Sequence, residues 1–129
     1  MSQEEKDLLL QDLSARLPYG VKVQYDNEPY NVDYVSVLYE EIKLDIPDNY
    51  TIEISEIKPY LRRMSSMTEE EYNEYRNIDN RSYTCPMAYA HIPAQDRIKW
   101  LNKNMFDYRG LIEKGLAIKV TEENNPYKE

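Results

Sequence analysis

The sequence is poor in the residues that staple, bend or ligate. It holds one cysteine, Cys85, in 129 residues, so no disulfide can form within the chain. That excludes a disulfide-stapled secreted scaffold and fits a reducing compartment. It holds one histidine, His91, and metal sites built on nitrogen and sulfur need several such ligands together. No apolar run approaches the roughly 20 residues that span a bilayer. No basic stretch precedes the apolar residues of MSQEEKDLLL, so no secretory leader is expected and a cytoplasmic location is. Neither a cofactor nor a membrane is expected as a partner.

Glycine is equally scarce, with three in all. Two of them, Gly110 and Gly115, stand in DYRGLIEKGLAIKV (107–120) with the G-x-x-x-x-G spacing of a phosphate-binding P-loop. The lysine and hydroxyl residue that give that loop its chemistry are missing, because Leu116 and Ala117 follow. The expected order is also reversed: a helical turn closes into a strand. Gly115 therefore reads as a left-handed C-terminal glycine behind Lys114, and Gly110 as a chain reversal after Asp107.

Acid is abundant. The net charge is −8. Residues 1–80 carry 18 acids against 8 bases, and residues 26–56 carry nine acids against Lys43. Like-charge repulsion disfavours generic nucleic-acid binding. Tyrosine is the other excess, at thirteen against one Phe and one Trp. Its ring packs on half-buried sheet faces while its hydroxyl stays wet, and it is favoured at binding surfaces.

The pattern predicts one α+β domain over 1–129. Ser2 and Glu5 form a capping-box pattern opening a helix over 3–17, whose stripe is Leu9, Leu13 and Leu17 with Leu10 beside it. Pro18 and Gly20 stop it. An antiparallel meander follows from 21 to about 55. VKVQYD turns Val21, Val23 and Tyr25 to one face. DNEP (26–29) is a turn. YNVDYVSVLYE reads as one strand with Val35, Val37 and Tyr39 on one face and Tyr34 and Leu38 on the other. A slip in its alternation near Asp33 marks a bulge. Glu40–Glu41 is the expected tight connection. EIKLDI points Ile42, Leu44 and Ile46 inward, PDN (47–49) is a turn, and YTIEI points Ile52 and Ile54 inward.

Beyond Ile54 the period changes, and Ile57, Tyr60 and Leu61 fit a short helical turn before a loop, RRMSSM. Thr68 and Glu71 form a second capping box, for a surface helix through about Ile78. AYAHIP reads as extended. Pro93 opens a further helix, with Ile98, Leu101 and Met105 on one side and Trp100 flanking. Asp107 caps a turn through Lys114, residues 116–120 form a last strand at the sheet edge, and 121–129 read as a frayed tail.

No constellation carries a reaction. Cys85 and His91 make a conceivable nucleophile pair, but their spacing across Pro86 fixes no geometry. Pairs such as Asp45 and Asp48, or Glu40 and Glu41, lack EF-hand spacing, so no metal site is assigned. The basic residues of 97–119, with Trp100 and Tyr108 among them, have the composition of a nucleotide or single-strand surface. Arg97, Trp100 and Arg109 are the candidates for a small ligand; a solvated helix face predicts the same letters.

Three stretches, EEKDLLLQDLSARLPYGVKV (4–23), EIKPYLRRMSSMTEEE (56–71) and DYRGLIEKGLAIKV (107–120), resemble an uncharacterised family of short acidic proteins from gut bacteria and their phages and prophages. They cover 50 of the 129 residues. The resemblance implies a mobile-element context and assigns no functional residue. The expected function is a phage- or prophage-linked accessory protein, leaning away from an enzyme. It would bind a host or phage protein through a tyrosine-rich acidic face, with Tyr30, Asp33 and Tyr34 as contact candidates. The alternatives are an acidic DNA mimic or anti-defence inhibitor, and a small nucleotide-binding protein or enzyme.

Overall fold

The computed structural model describes residues 1–46, 51–82 and 92–127. Its elements are α1 (Gln3–Arg16), β1 (Lys22–Tyr25), β2 (Glu28–Ser36), β3 (Glu41–Leu44), β4 (Thr51–Glu53), β5 (Lys58–Arg63), α2 (Glu69–Ser82), α3 (Ile92–Lys103), β6 (Phe106–Asp107) and β7 (Ile118–Lys119). The fold is α+β, with an N-terminal helix on an antiparallel meander and helices after it.

The capping box closes as the sequence predicts. Glu5 N–H donates to Ser2 Oγ at 3.1 Å, and Ser2 N–H donates to Glu5 Oε1 at 3.0 Å. From there Leu9, Leu10 and Leu13 are fully buried against Val21, Val23, Ile42, Leu44, Ile52 and Ile54. Each such leucine contributes roughly 1.5–3 kcal/mol by leaving water. A short 3₁₀ turn at Leu17–Tyr19 and Gly20, at φ 77°, end the helix.

The sheet runs β4-β3-β2-β1-β5-β6, with β7 pairing β5 outside that order. β1 and β2 join through Asp26 and Asn27, both at positive φ (52° and 66°). Short polar side chains tolerate that region, and the two-residue turn matches the strand twist. Between Val32 and Tyr34 the register slips, leaving Asp33 as the bulged residue.

Residues 57–61 depart from the expected helical turn. Lys58–Arg63 is a strand, antiparallel to β1 at Val23↔Pro59 and Gln24↔Lys58. Pro59 disfavours helix at Lys58. Pro59, Tyr60 and Leu61 are all buried, so the alternation that betrays a one-sided strand is absent. β6 and β7 both run parallel to β5, at Arg62↔Phe106 and Tyr60↔Ile118. The last strand is therefore shorter than the expected 116–120.

α2 opens on the expected box: Glu71 N–H donates to Thr68 Oγ1 at 3.1 Å, and Thr68 N–H to Glu71 Oε1 at 2.9 Å. α2 and α3 enclose a second small core of Ile78, Trp100, Leu101 and Phe106. Asp107 then caps a turn, accepting the N–H groups of Leu111 at 3.0 Å and Ile112 at 2.9 Å. Leu116 N–H returns to Leu111 carbonyl at 2.9 Å and Gly115 N–H to Ile112 carbonyl at 3.1 Å. With Gly115 at φ 75°, this is a Schellman closure.

Two features were not legible from periodicity. Asp12 and Arg16, one turn apart on α1, are fully buried and bonded at 2.9 Å. Arg109 reaches the other Asp12 oxygen at 2.7 Å, and Arg16 donates to the Phe106 carbonyl at 2.6 Å. The expected frayed tail is anchored through Tyr127, whose hydroxyl accepts the Lys22 N–H at 3.0 Å and donates to the Tyr60 carbonyl at 2.8 Å.

Candidate interaction surface

The connection between β2 and β3 is a four-residue loop, 37–40, not the expected Glu40–Glu41 turn. Ser36 and Glu41 still pair across its base, and Tyr39 N–H donates to Ser36 Oγ at 3.1 Å. Glu40 ends it at φ 55°, a left-handed position that costs a non-glycine residue about 1 kcal/mol or more. Three apolar side chains ride on this loop. Val37 is 63% exposed, Leu38 81% and Tyr39 71%. Loop residues are ordinarily polar, and a contiguous exposed apolar group marks a contact site more often than a scattered one does. The expected strand through Val37 and Tyr39 ends at Ser36 instead, although the run is rich in β-formers. The usable signal was the unbroken V-L-Y run, which violates alternation.

Acid surrounds the loop base. Glu41 and Glu53 are direct cross-strand partners in β3 and β4, while their neighbours Ile42 and Ile52 are buried. Both side chains thus leave the sheet on the face opposite Ile42 and Ile52, and the Glu53 carboxylate turns toward Lys6 of α1. Like charges directly opposite destabilise a sheet. Lys6 of α1 lies 3.7 Å from Glu40 and 3.8 Å from Glu53, so one cation serves two of three carboxylates. Glu41 has no ion pair among the described residues. On the same face, the Lys43 ammonium lies 5.4 Å from the centre of the Tyr34 ring.

The bulge at Asp33 separates two of the contact candidates. Tyr34 pairs Lys43 on the outer face and is 46% exposed. Tyr30 pairs Val23, lies on the inner face, packs against the core and sits 6.3 Å from Tyr25. Residues four apart share a face in an even strand; one extra residue between them reverses it. Asp33 itself is exposed. Tyr34 and Asp33 therefore belong to the outer surface and Tyr30 does not.

The candidate ligand residues take up packing roles. Trp100 is buried between Tyr75, at 5.6 Å, and Phe106, stacked at 5.5 Å. Arg97 lies 5.6 Å over the Tyr75 ring. Arg109 neutralises Asp12 and lies 4.5 Å over Tyr108, on the opposite side of the Phe106–Asp107 strand in sequence. Cys85 and His91 lie outside the described residues. No three Asp, Glu, His or Cys side chains among the described residues gather closely enough to hold a metal ion.

A polar cleft of about 720 Å³ lies elsewhere, walled by Arg62, Lys103, Thr121, Asn125 and Tyr127 among others. Its Arg62 guanidinium is already taken up by both Glu71 oxygens, at 2.7 Å each. That fork holds the Glu71 carboxyl well down, at about 2. No helix among the described residues is long and apolar enough to cross a membrane. Searches against family models, curated proteins and solved structures give no match for this chain.

Proposed function

We propose that the chain is a non-enzymatic protein-interaction module, an accessory protein of phage or prophage origin, which docks through the loop between β2 and β3. The observation that carries this reading is the exposure of Val37, Leu38 and Tyr39 at 63%, 81% and 71%. Tyrosine is one of the residues that carry most binding energy at protein interfaces, and exposed apolar neighbours such as Val37 and Leu38 exclude water around it. Asp33 and Tyr34 extend the same surface along β2. The resemblance of three stretches to phage-linked acidic proteins supports the biological context.

The test is capture of partners from bacterial lysate by wild type and by a Leu38→Ser/Tyr39→Ser variant. Both side chains are exposed, so the variant keeps its fold and its circular dichroism. A stoichiometric partner recovered by wild type and lost by the variant supports the reading. Equal recovery by both would remove the loop from the interface.

The acidic DNA-mimic reading uses the same region, supported by nine acids against one lysine over 26–56. It predicts that duplex DNA displaces the partner, whereas docking through the apolar loop alone does not.

A further inference from the structure

We infer that the partner presents an apolar depression rimmed by cationic side chains, and that one of those cations sits between Glu41 and Glu53. This rests on the docking role of the loop and adds the chemistry of what it docks into.

Three observations converge. The loop residues Val37, Leu38 and Tyr39 are three consecutive, largely exposed apolar side chains on a four-residue loop, which an apolar depression on a partner would bury. Glu41 and Glu53 stand opposite each other in register, an arrangement that weakens the isolated sheet. Lys6 satisfies Glu53 only at 3.8 Å while it also serves Glu40, and Glu41 is left without an ion pair among the described residues. A guanidinium or ammonium brought in from outside converts the repulsion into two attractions. Lys43 does not fill this role, since its ammonium lies over the Tyr34 ring.

Other occupants fit less well. A bound metal ion would need a third ligand, and none is close enough among the described residues. A second copy brings the same acid to the contact, and a net charge of −8 on each chain opposes it. A membrane surface would accept Leu38 and Tyr39, but the carboxylates at the loop base repel anionic headgroups.

The geometry also predicts a trade-off. A substitution that relieves the Glu41–Glu53 repulsion leaves the free protein as stable or more stable while it weakens binding. Loss of binding through misfolding has the opposite effect on stability, so the two are separable.

The experiment places the photo-cross-linking residue p-benzoylphenylalanine at position 39 of the full chain. Irradiation is done in bacterial lysate at low and at high sodium chloride, in the wild-type background and with Glu41→Gln, which relieves the repulsion and leaves the Lys6–Glu53 pair in place. The expected result is a discrete protein adduct whose yield falls several-fold at high salt and several-fold again in the Gln variant. The cross-linked partner peptide is flanked by Lys or Arg around an apolar surface. The Gln variant's unfolding midpoint is unchanged or raised. An adduct indifferent to salt and to Glu41→Gln would overturn the cationic rim and leave the docking loop standing. Absence of any protein adduct would overturn both. Flotation of the chain with phosphatidylcholine–phosphatidylglycerol vesicles, in place of a protein adduct, would overturn the inference in favour of a membrane.

Discussion

Asp12 and Arg16, four residues apart on α1, form an ion pair at 2.9 Å with both side chains fully buried. The pair is completed from far along the chain, by Arg109 on the carboxylate and by the Phe106 carbonyl on the guanidinium. It fastens the first helix to the segment that follows α3. Removing one partner strands charge in a buried site. Asp12→Ala is therefore expected to lower stability by about 3–5 kcal/mol in urea unfolding. A loss under about 1 kcal/mol would mean that solvent reaches the two guanidiniums.

The Tyr127 hydroxyl occupies the place of a missing rung. β1 and β5 pair at Val23↔Pro59, so Lys22 and Tyr60 come next in register, and the hydroxyl bridges them. Tyr127→Phe removes both bonds at nearly constant volume and leaves the half-buried Lys22 N–H without this partner. The expected loss is roughly 1–3 kcal/mol, with faster amide exchange at Lys22. Unchanged exchange there would show that the tail does not hold the sheet. Burial pushes the phenol well above its ordinary value, so no loss of this bond is expected on mild alkaline titration.

Glu71 gives a pH dependence of known sign. Hydrogen bonds from the Arg62 guanidinium hold its carboxyl at about 2 in the folded chain, against an ordinary 4.5. A depressed carboxylate stabilises the fold above its unfolded value, and the contribution fades as pH falls toward the folded one. The difference in unfolding free energy between wild type and Glu71→Gln should be roughly 2 kcal/mol near neutrality, after allowance for partial exposure. It should shrink steadily between pH 5 and pH 2, the window those two values define. A difference independent of pH would deny the Arg62 fork its electrostatic role.

Gly115→Ala isolates backbone strain. The glycine sits at φ 75°, and a Cβ built there meets nothing within 4 Å. The penalty is then conformational, about 1 kcal/mol, without a packing term. A neutral substitution would mean that the Schellman closure relaxes without cost.

Much of this architecture could be read locally. Both capping boxes, the Leu9–Leu10–Leu13 stripe, the inward Ile42, Leu44, Ile52 and Ile54, the bulge at Asp33 and the left-handed Gly115 all follow from near-neighbour chemistry. The strand at 58–63 is hidden in the sequence because Pro59, Tyr60 and Leu61 are all buried, which erases period two. The V-L-Y run hides its loop for a different reason: its residues are strong β-formers that continue the pattern of β2, and the four-residue loop lifts them into solvent.

The sequence by itself determined where helices start, which side chains alternate inward and how acidic the meander is, because those depend on residues within a few positions of one another. Tertiary structure alone decided that Asp12 would be neutralised by a residue 97 positions away, that Tyr127 would complete a gap between β1 and β5, and that Glu41 would face Glu53. Those outcomes depend on register and on loop length. A single inserted residue, such as the one at Asp33, reverses the face of all that follows it and sends Tyr30 inward and Tyr34 outward.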